Sequence, residues 1–186
     1  MAGATVPFAC ACGKLGGCLH DVAPNRGNHM KCYCTSCQTA ARVLGYEHTL
    51  DAHGGTEVFQ TVPSKIEWDR GQRHLACLRL SPKGMLRWYA SCCNTPLFTM
   101  FDNASFALAG FNMGWVSEAD RPAFGPLAGV YSAKGARNAP PGLRDYGLAK
   151  AFGLVFWRAI KARLRGDSGW PFFDDKGQIT VTPPAC

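Results

Sequence analysis

Cys32-Tyr33-Cys34-Thr35-Ser36-Cys37 places three thiols at separations of one and two residues. Working outward, Cys10-Ala11-Cys12-Gly13 lies before this stretch and Cys92-Cys93-Asn94 far behind it, so seven of the ten cysteines fall in three clusters. Short loops of this kind close chelate rings around one soft cation, for which zinc is the usual choice. His29 to Cys34 reads as a strand that brings Cys32 and Cys34 to one side, because strand side chains alternate. Cys37 then opens a helix running to about Leu44, with Thr35 or Ser36 as its cap. The amides at that helix N-terminus favour thiolate over thiol at Cys37. Three thiolates from one strand-to-helix turn leave a tetrahedral zinc with its fourth position open, which marks a catalytic rather than a structural site.

The rest of the chain sets the frame. Its 186 residues fit one domain with a real core, and 47% hydrophobic against 18% charged residues excludes wholesale disorder. Twenty-one glycines and twelve prolines favour short strands and turns over a helical bundle, so the expected class is mainly β. The net charge of +7 suits nucleic acid, anionic lipid or a small anionic thiol without choosing among them. No signal-like or bilayer-spanning stretch stands out, and the expectation is a cytoplasmic protein. In a reducing compartment clustered cysteines are metal ligands or reactive thiols, and C-x-C pairs are too close for comfortable disulfide geometry.

Phe8 to Val22 reads as two strands around Gly13-Lys14-Leu15-Gly16-Gly17, with Cys10 and Cys12 on one strand face. A β-meander is expected over Glu57 to Val62, Lys65 to Asp69, His74 to Leu80, Leu86 to Cys92 and Pro96 to Met100. Cys18 and Cys77 read as small core hydrophobes. His48 and His53 read as solvated loop residues, although a histidine closing the central tetrahedron would make that site structural. His20, His29 and His74 show no paired zinc spacing. Cys92-Cys93-Asn94-Thr95-Pro96 is a turn in which Asn94 takes the left-handed conformation that a metal knuckle needs.

Taken together, Cys10-x-Cys12-Gly13, Cys32-x-Cys34-x-x-Cys37 and Arg87-Trp88-Tyr89 running into Cys93-Asn94-Thr95-Pro96-Leu97 resemble the glutathione-dependent formaldehyde-activating enzyme family, which also includes centromere protein V. The resemblance covers roughly residues 8 to 100. It implies a zinc-binding β-tent of short antiparallel strands. The expected domain spans 1–142, and beyond the resemblance a helix and tail over 143–186 are expected to pack on the same domain. It also implies structural ligands at Cys10, Cys12 and Cys93, and active-site zinc ligands at Cys32, Cys34 and Cys37. The implied reaction is that of a carbon-sulfur lyase acting on a glutathione-type thiol adduct of a small aldehyde. The chain departs from the family's C-x-x-C-Gly, with Ala90 at the first cysteine and Asn94 at the glycine. Cys92 is the obvious replacement ligand, but neighbouring strand residues point to opposite faces, so joint ligation by Cys92 and Cys93 needs a distorted turn. The alternatives are one zinc shared with the central cluster, no first site, or a strained Cys92–Cys93 disulfide. One or two zinc ions are therefore expected.

Leu148 to Arg165 contains no acid and reads as an amphipathic helix. Lys150, Arg158, Lys161 and Arg165 form one face, and Leu148, Ala151, Phe152, Val155 and Ala159 the other. Leu154 and Trp157 near the basic side leave room for a homodimer, partner or membrane-surface contact. Trp170-Pro171-Phe172-Phe173 is apolar enough to pack down. A second functional reading is a zinc-stabilised binding module that meets an anionic partner through its basic surface. No aromatic stacking motif promotes nucleic acid.

Overall fold

The computed structural model describes residues 3–106, 108–166, 172–174 and 176–180. Among these residues, ten short strands form two sheets. The smaller contains β1 (Ala4–Ala9), β2 (Gly16–Val22) and β5 (Ile66–Arg70), in that order. The larger contains β3 (Asn28–Cys32), β4 (Thr56–Thr61), β6 (Leu75–Leu78), β7 (Leu86–Ala90), β8 (Thr95–Met100), β9 (Ala109–Asn112) and β10 (Gly129–Tyr131). Its spatial order is β10-β3-β4-β9-β8-β7-β6, antiparallel except where β10 joins β3. The helices are α1 (Thr35–Leu44) and α2 (Leu148–Leu164). The mainly β expectation, with a C-terminal helix, therefore holds.

The expected meander does not run in sequence order. β5 leaves it to pair with β2, while β4 pairs with β3 and β9; only β6 to β9 form a continuous meander. Alternation in Ile66-Glu67-Trp68-Asp69 identifies a half-wet strand but carries no information about its partner.

Register across the larger sheet separates its two faces. Trp88, Phe98, Phe111 and Phe59 stand opposite one another on successive strands, and all four are buried. With Phe8 and Trp68 from the small sheet and Phe172 from the tail they make an aromatic core, with ring centroids 4.9 to 5.8 Å apart for Phe8–Phe98, Phe98–Phe111, Trp68–Phe98 and Trp88–Phe172. Truncating a buried ring of this size costs about 3–5 kcal/mol. The tail expectation holds for Phe172 and Phe173, both buried; Trp170 and Pro171 lie outside the described residues. One residue along each strand, Arg87, Thr99, Gly110 and Gln60 form the matching row on the opposite face.

Helix α2 lies over that second face. Ala151 and Ala159 are buried, but Phe152, on the same apolar face by sequence, is 55% exposed; the side chain of Val155 lies outside the described residues. Arg158 is not a solvent cation: its guanidinium donates to Asn28 Oδ1 at 3.0 Å and to the carbonyls of Asn25 and Gly27 at 3.2 and 3.3 Å. A period of 3.6 locates a stripe but does not tell which polar residue finds a carbonyl to bond. No described helix is long and apolar enough to cross a membrane.

Candidate metal centres

Seven cysteines assemble into two separate groups, Cys10 with Cys12, Cys92 and Cys93, and Cys32 with Cys34 and Cys37. Within each group all sulfurs lie within 4.8 Å of one another. Four thiolates held about 2.3 Å from zinc define a tetrahedron with edges of about 3.8 Å. In the first group the Sγ separations are 3.6 Å for Cys10–Cys12, 3.8 Å for Cys10–Cys92, 3.3 Å for Cys12–Cys92 and 3.9 Å for Cys92–Cys93. In the second, Cys32 and Cys37 are 3.7 Å apart. Both donor sets therefore fit a soft, tetrahedral ion.

The four-cysteine group is built from two turns. β1 ends at Ala9, so Cys10 and Cys12 converge through a turn and not by strand alternation. Gly13 N–H closes that turn on Cys10 O at 2.9 Å, and Leu15 N–H donates to Cys10 Sγ at 3.3 Å. The distorted turn required for Cys92 and Cys93 is present, closed by Cys93 N–H to Ala90 O at 3.2 Å, with Asn94 at φ 58° as expected. Cys92 therefore joins Cys10, Cys12 and Cys93 in one group, while Ala90, fully buried in β7, offers no ligand. Both cysteines of the pair are free thiols. Fully buried Thr95 ties the turns together, accepting from Ala11 N–H at 3.0 Å while its hydroxyl lies 3.0 Å from Cys93 Sγ. Tyr46, just beyond α1, donates its hydroxyl to Cys93 O at 2.9 Å. Burial raises Cys93, but the bonds from Thr95 and the Cys12 backbone outweigh it and bring the thiol down to about 6. Cys92 is pushed up to about 12, first by burial and then by its sulfur neighbours.

The three-cysteine group sits where β3 gives way to α1. Cys32 is the last residue of β3 and faces the Arg87–Gly110 side of the sheet. The helix cap is Cys34 itself, in place of the expected Thr35 or Ser36: its Sγ accepts from Cys37 N–H at 3.4 Å. The helix N-terminus therefore stabilises thiolate chiefly at Cys34, which is held far below the ordinary thiol range by hydrogen bonds from Cys32 and then Cys37. Cys32 is correspondingly raised. Gln38 fixes the turn by donating to both Tyr33 O and Gly135 O at 2.8 Å. Gly45, in the left-handed conformation at φ 78°, ends the helix.

Arg87 is the functional residue that sequence reasoning missed. Its guanidinium is buried and donates to Cys37 Sγ at 3.5 Å, Thr99 Oγ1 at 2.9 Å and Ser36 Oγ at 2.7 Å, while Nε has no partner. It pairs with no carboxylate among the described residues. A buried cation without a counter-ion is costly, whereas three thiolates around a divalent ion carry a net charge of −1. Beside the group lies a cavity of about 260 Å³ reached by Cys32, Cys34, Cys37 and Arg87. Met30, Val58, Phe106, Leu108 and the first turn of α2 make its walls largely apolar, and Gly110 leaves its floor open. No Asp, Glu or His lines it.

The histidines stay outside both groups. His53 Nδ1 lies 3.1 Å from Arg137 O, and His48 packs on Tyr46 with ring centroids 5.2 Å apart. Cys77 is a core thiol as expected, pushed up to about 12 by burial. Cys18 is only half-buried and lies outside the core, contrary to expectation, because it sits in β2 opposite Glu67 of the two-faced small sheet.

A solved structure described as a Rhodobacter sphaeroides protein, a structural genomics target, is similar at TM-score 0.45 and 14% identity, over 68% of this chain and 99% of that one. No curated protein matches this chain. The match to a family of unknown function, DUF6151, spans residues 2–168, and the chain belongs to that family.

Proposed function

We propose that this protein is a zinc-dependent carbon-sulfur lyase-like enzyme acting on a thiol adduct of a small aldehyde. The observation that carries this reading is the contrast at the second group: three cysteines, no fourth protein ligand among the described residues, and an adjoining cavity with a buried arginine. The first group, complete with four thiols, has the composition of a structural site.

Cys32, Cys34 and Cys37 would hold the ion, which supplies a Lewis acid with one position for sulfur or oxygen. Arg87 holds the charge of the thiolates and orients Cys37. The apolar walls exclude water and receive the substituents of the adduct. In the synthetic direction the thiol sulfur adds to the carbonyl carbon: a C–S bond forms as the C=O π bond opens onto oxygen, and that oxygen takes up the proton lost when the S–H bond breaks. Cleavage is the reverse, and no oxidant or reductant is needed. A glutathione-type thiol is the natural first probe, given the resemblance of the cysteine pattern to the formaldehyde-activating family.

Exchange spectroscopy of glutathione with formaldehyde tests this directly. The expected result is an exchange rate above the uncatalysed one that Cys37→Ser abolishes. A rate equal to the uncatalysed one removes this substrate assignment, and with salt-dependent retention on an anionic partner it would favour a non-catalytic, zinc-stabilised binding module.

A further inference from the structure

Helix α2 has two apolar faces, and among the described residues only one is well covered; on the other, Phe156 meets a single ring, that of Phe106, with centroids 6.5 Å apart. Its inner face packs through Ala151 and Ala159, while Phe156, Trp157 and Leu164 are 61%, 54% and 82% exposed. Phe156, Ile160 and Leu164 follow one another at four-residue steps and form a row along the helix, with Trp157 beside it. Cations border this row. Lys150, Lys161, Arg163 and Arg165 are exposed, and the helix carries no acid. None of the four forms an ion pair among the described residues.

A groove of about 720 Å³ runs beside the row, between α2 and the ends of β2 and β4. Lys161 and Arg165 reach it from the helix, and Arg26 and Lys65 from the opposite wall. The one acid that lines it among the described residues, Asp21, is already engaged by Arg26 and Lys65, each at 3.3 Å. The groove therefore offers positive charge to an anion while Trp157, with Lys161 Nζ 4.9 Å from its ring, stands at its rim.

We propose that α2 and this groove dock the protein on an anionic phospholipid surface. Phe156, Ile160, Leu164 and Trp157 would enter the headgroup–acyl boundary, and Lys161 and Arg165 would meet phosphate. Aromatic and aliphatic side chains on one outward stripe, flanked by Lys and Arg, are the composition of helices that lie in a membrane interface. The helix is too short and too charged to span. A second copy of the chain is a poor occupant, because a symmetric contact would set these cations against their own copies. A nucleic-acid backbone would answer the cations and leave the apolar row in water. Leu148, Ala151 and Phe152 of the same helix line the cavity at the second cysteine group, so the docked helix also forms part of that cavity's wall.

Flotation of the full chain on vesicles tests the proposal without reference to metal or activity. Vesicles of phosphatidylcholine containing about one third phosphatidylglycerol are compared with phosphatidylcholine alone. The chain is expected to float with the anionic vesicles only. Lys161→Glu with Arg165→Glu should reduce partitioning by about tenfold or more, and Phe156→Ser should reduce it with charge unchanged. Both variants change exposed side chains, so their circular dichroism should match the parent. Absence of flotation, equal flotation on both vesicles, or indifference to both variants would overturn the proposal. So would a dimer by light scattering that Phe156→Ser converts to monomer.

Discussion

The two cysteine groups use the same side chain in different surroundings, and the difference between those surroundings is what the proposed division of roles rests on. The four-cysteine group joins two turns far apart in sequence, at the junction of β1 with the end of β7. Its residues bond to neighbouring backbone and to Thr95. The three-cysteine group uses residues within one short segment, so it cross-links little. It has instead an arginine, a helix N-terminus and an open volume. Closure across 82 residues suits a structural role, and local ligands beside a cavity suit the chemistry proposed above.

The difference is sharpest in substitution. Cys12→Ser or Cys92→Ser should have the largest effect, since apparent binding energies of structural zinc are roughly 10–16 kcal/mol and a domain's whole stability is about 5–15 kcal/mol. Thermal melting should show a broad, low transition or none. Cys37→Ser should melt within a few degrees of the parent, a loss of about 1–2 kcal/mol, while losing exchange activity. A collapse of the fold in Cys37→Ser equal to that in Cys92→Ser would erase the distinction.

Arg87→Met tests the second group from outside its ligands. It should lower zinc affinity there by about 10–100-fold in chelator competition and leave the four-cysteine group unaffected. Arg87→Lys should recover part of the loss, because an ammonium retains charge but cannot reach Cys37, Thr99 and Ser36 together.

The smallest effect concerns the strand that delivers Cys32. Lys31 donates to Asp51 at 3.0 Å and to Glu57 at 3.2 Å, and Arg121 reaches Glu57 at 2.9 Å. Burial raises Glu57, but the bonds from Lys31 and Arg121 outweigh it and hold the carboxyl below its ordinary value. A depressed folded-state pKa contributes stability above the unfolded value and loses it as pH falls through the folded one. Glu57→Gln should therefore cost about 1 kcal/mol near neutral pH, and its difference from the parent in denaturant titrations should shrink as pH falls below the carboxylate range.

Much of this contrast is legible in the sequence. The spacings of Cys32, Cys34 and Cys37 fix a local chelate, and Asn94 after two cysteines fixes a left-handed turn, because both depend on a few neighbouring residues. The partner of β5 is not legible, since a half-wet strand fits either sheet. Arg87 is hidden for a related reason. In Leu86-Arg87-Trp88 alternation assigns it to the face opposite Trp88, where a charged residue usually meets water. Only α1, α2 and the three thiols arriving from elsewhere in the chain turn that face into a cavity wall. The exposed row on α2 is obscured in the same way, because a helix with apolar residues on two sides gives no sign of which one is covered.

Whether the groups are two sites or one is decided by counting metal. Elemental analysis of the purified, folded chain should give two zinc ions per chain, one for each group, and one in Cys37→Ser. A single zinc in the parent that Cys37→Ser removes altogether would mean that the groups share one structural ion, and would contradict the open catalytic site.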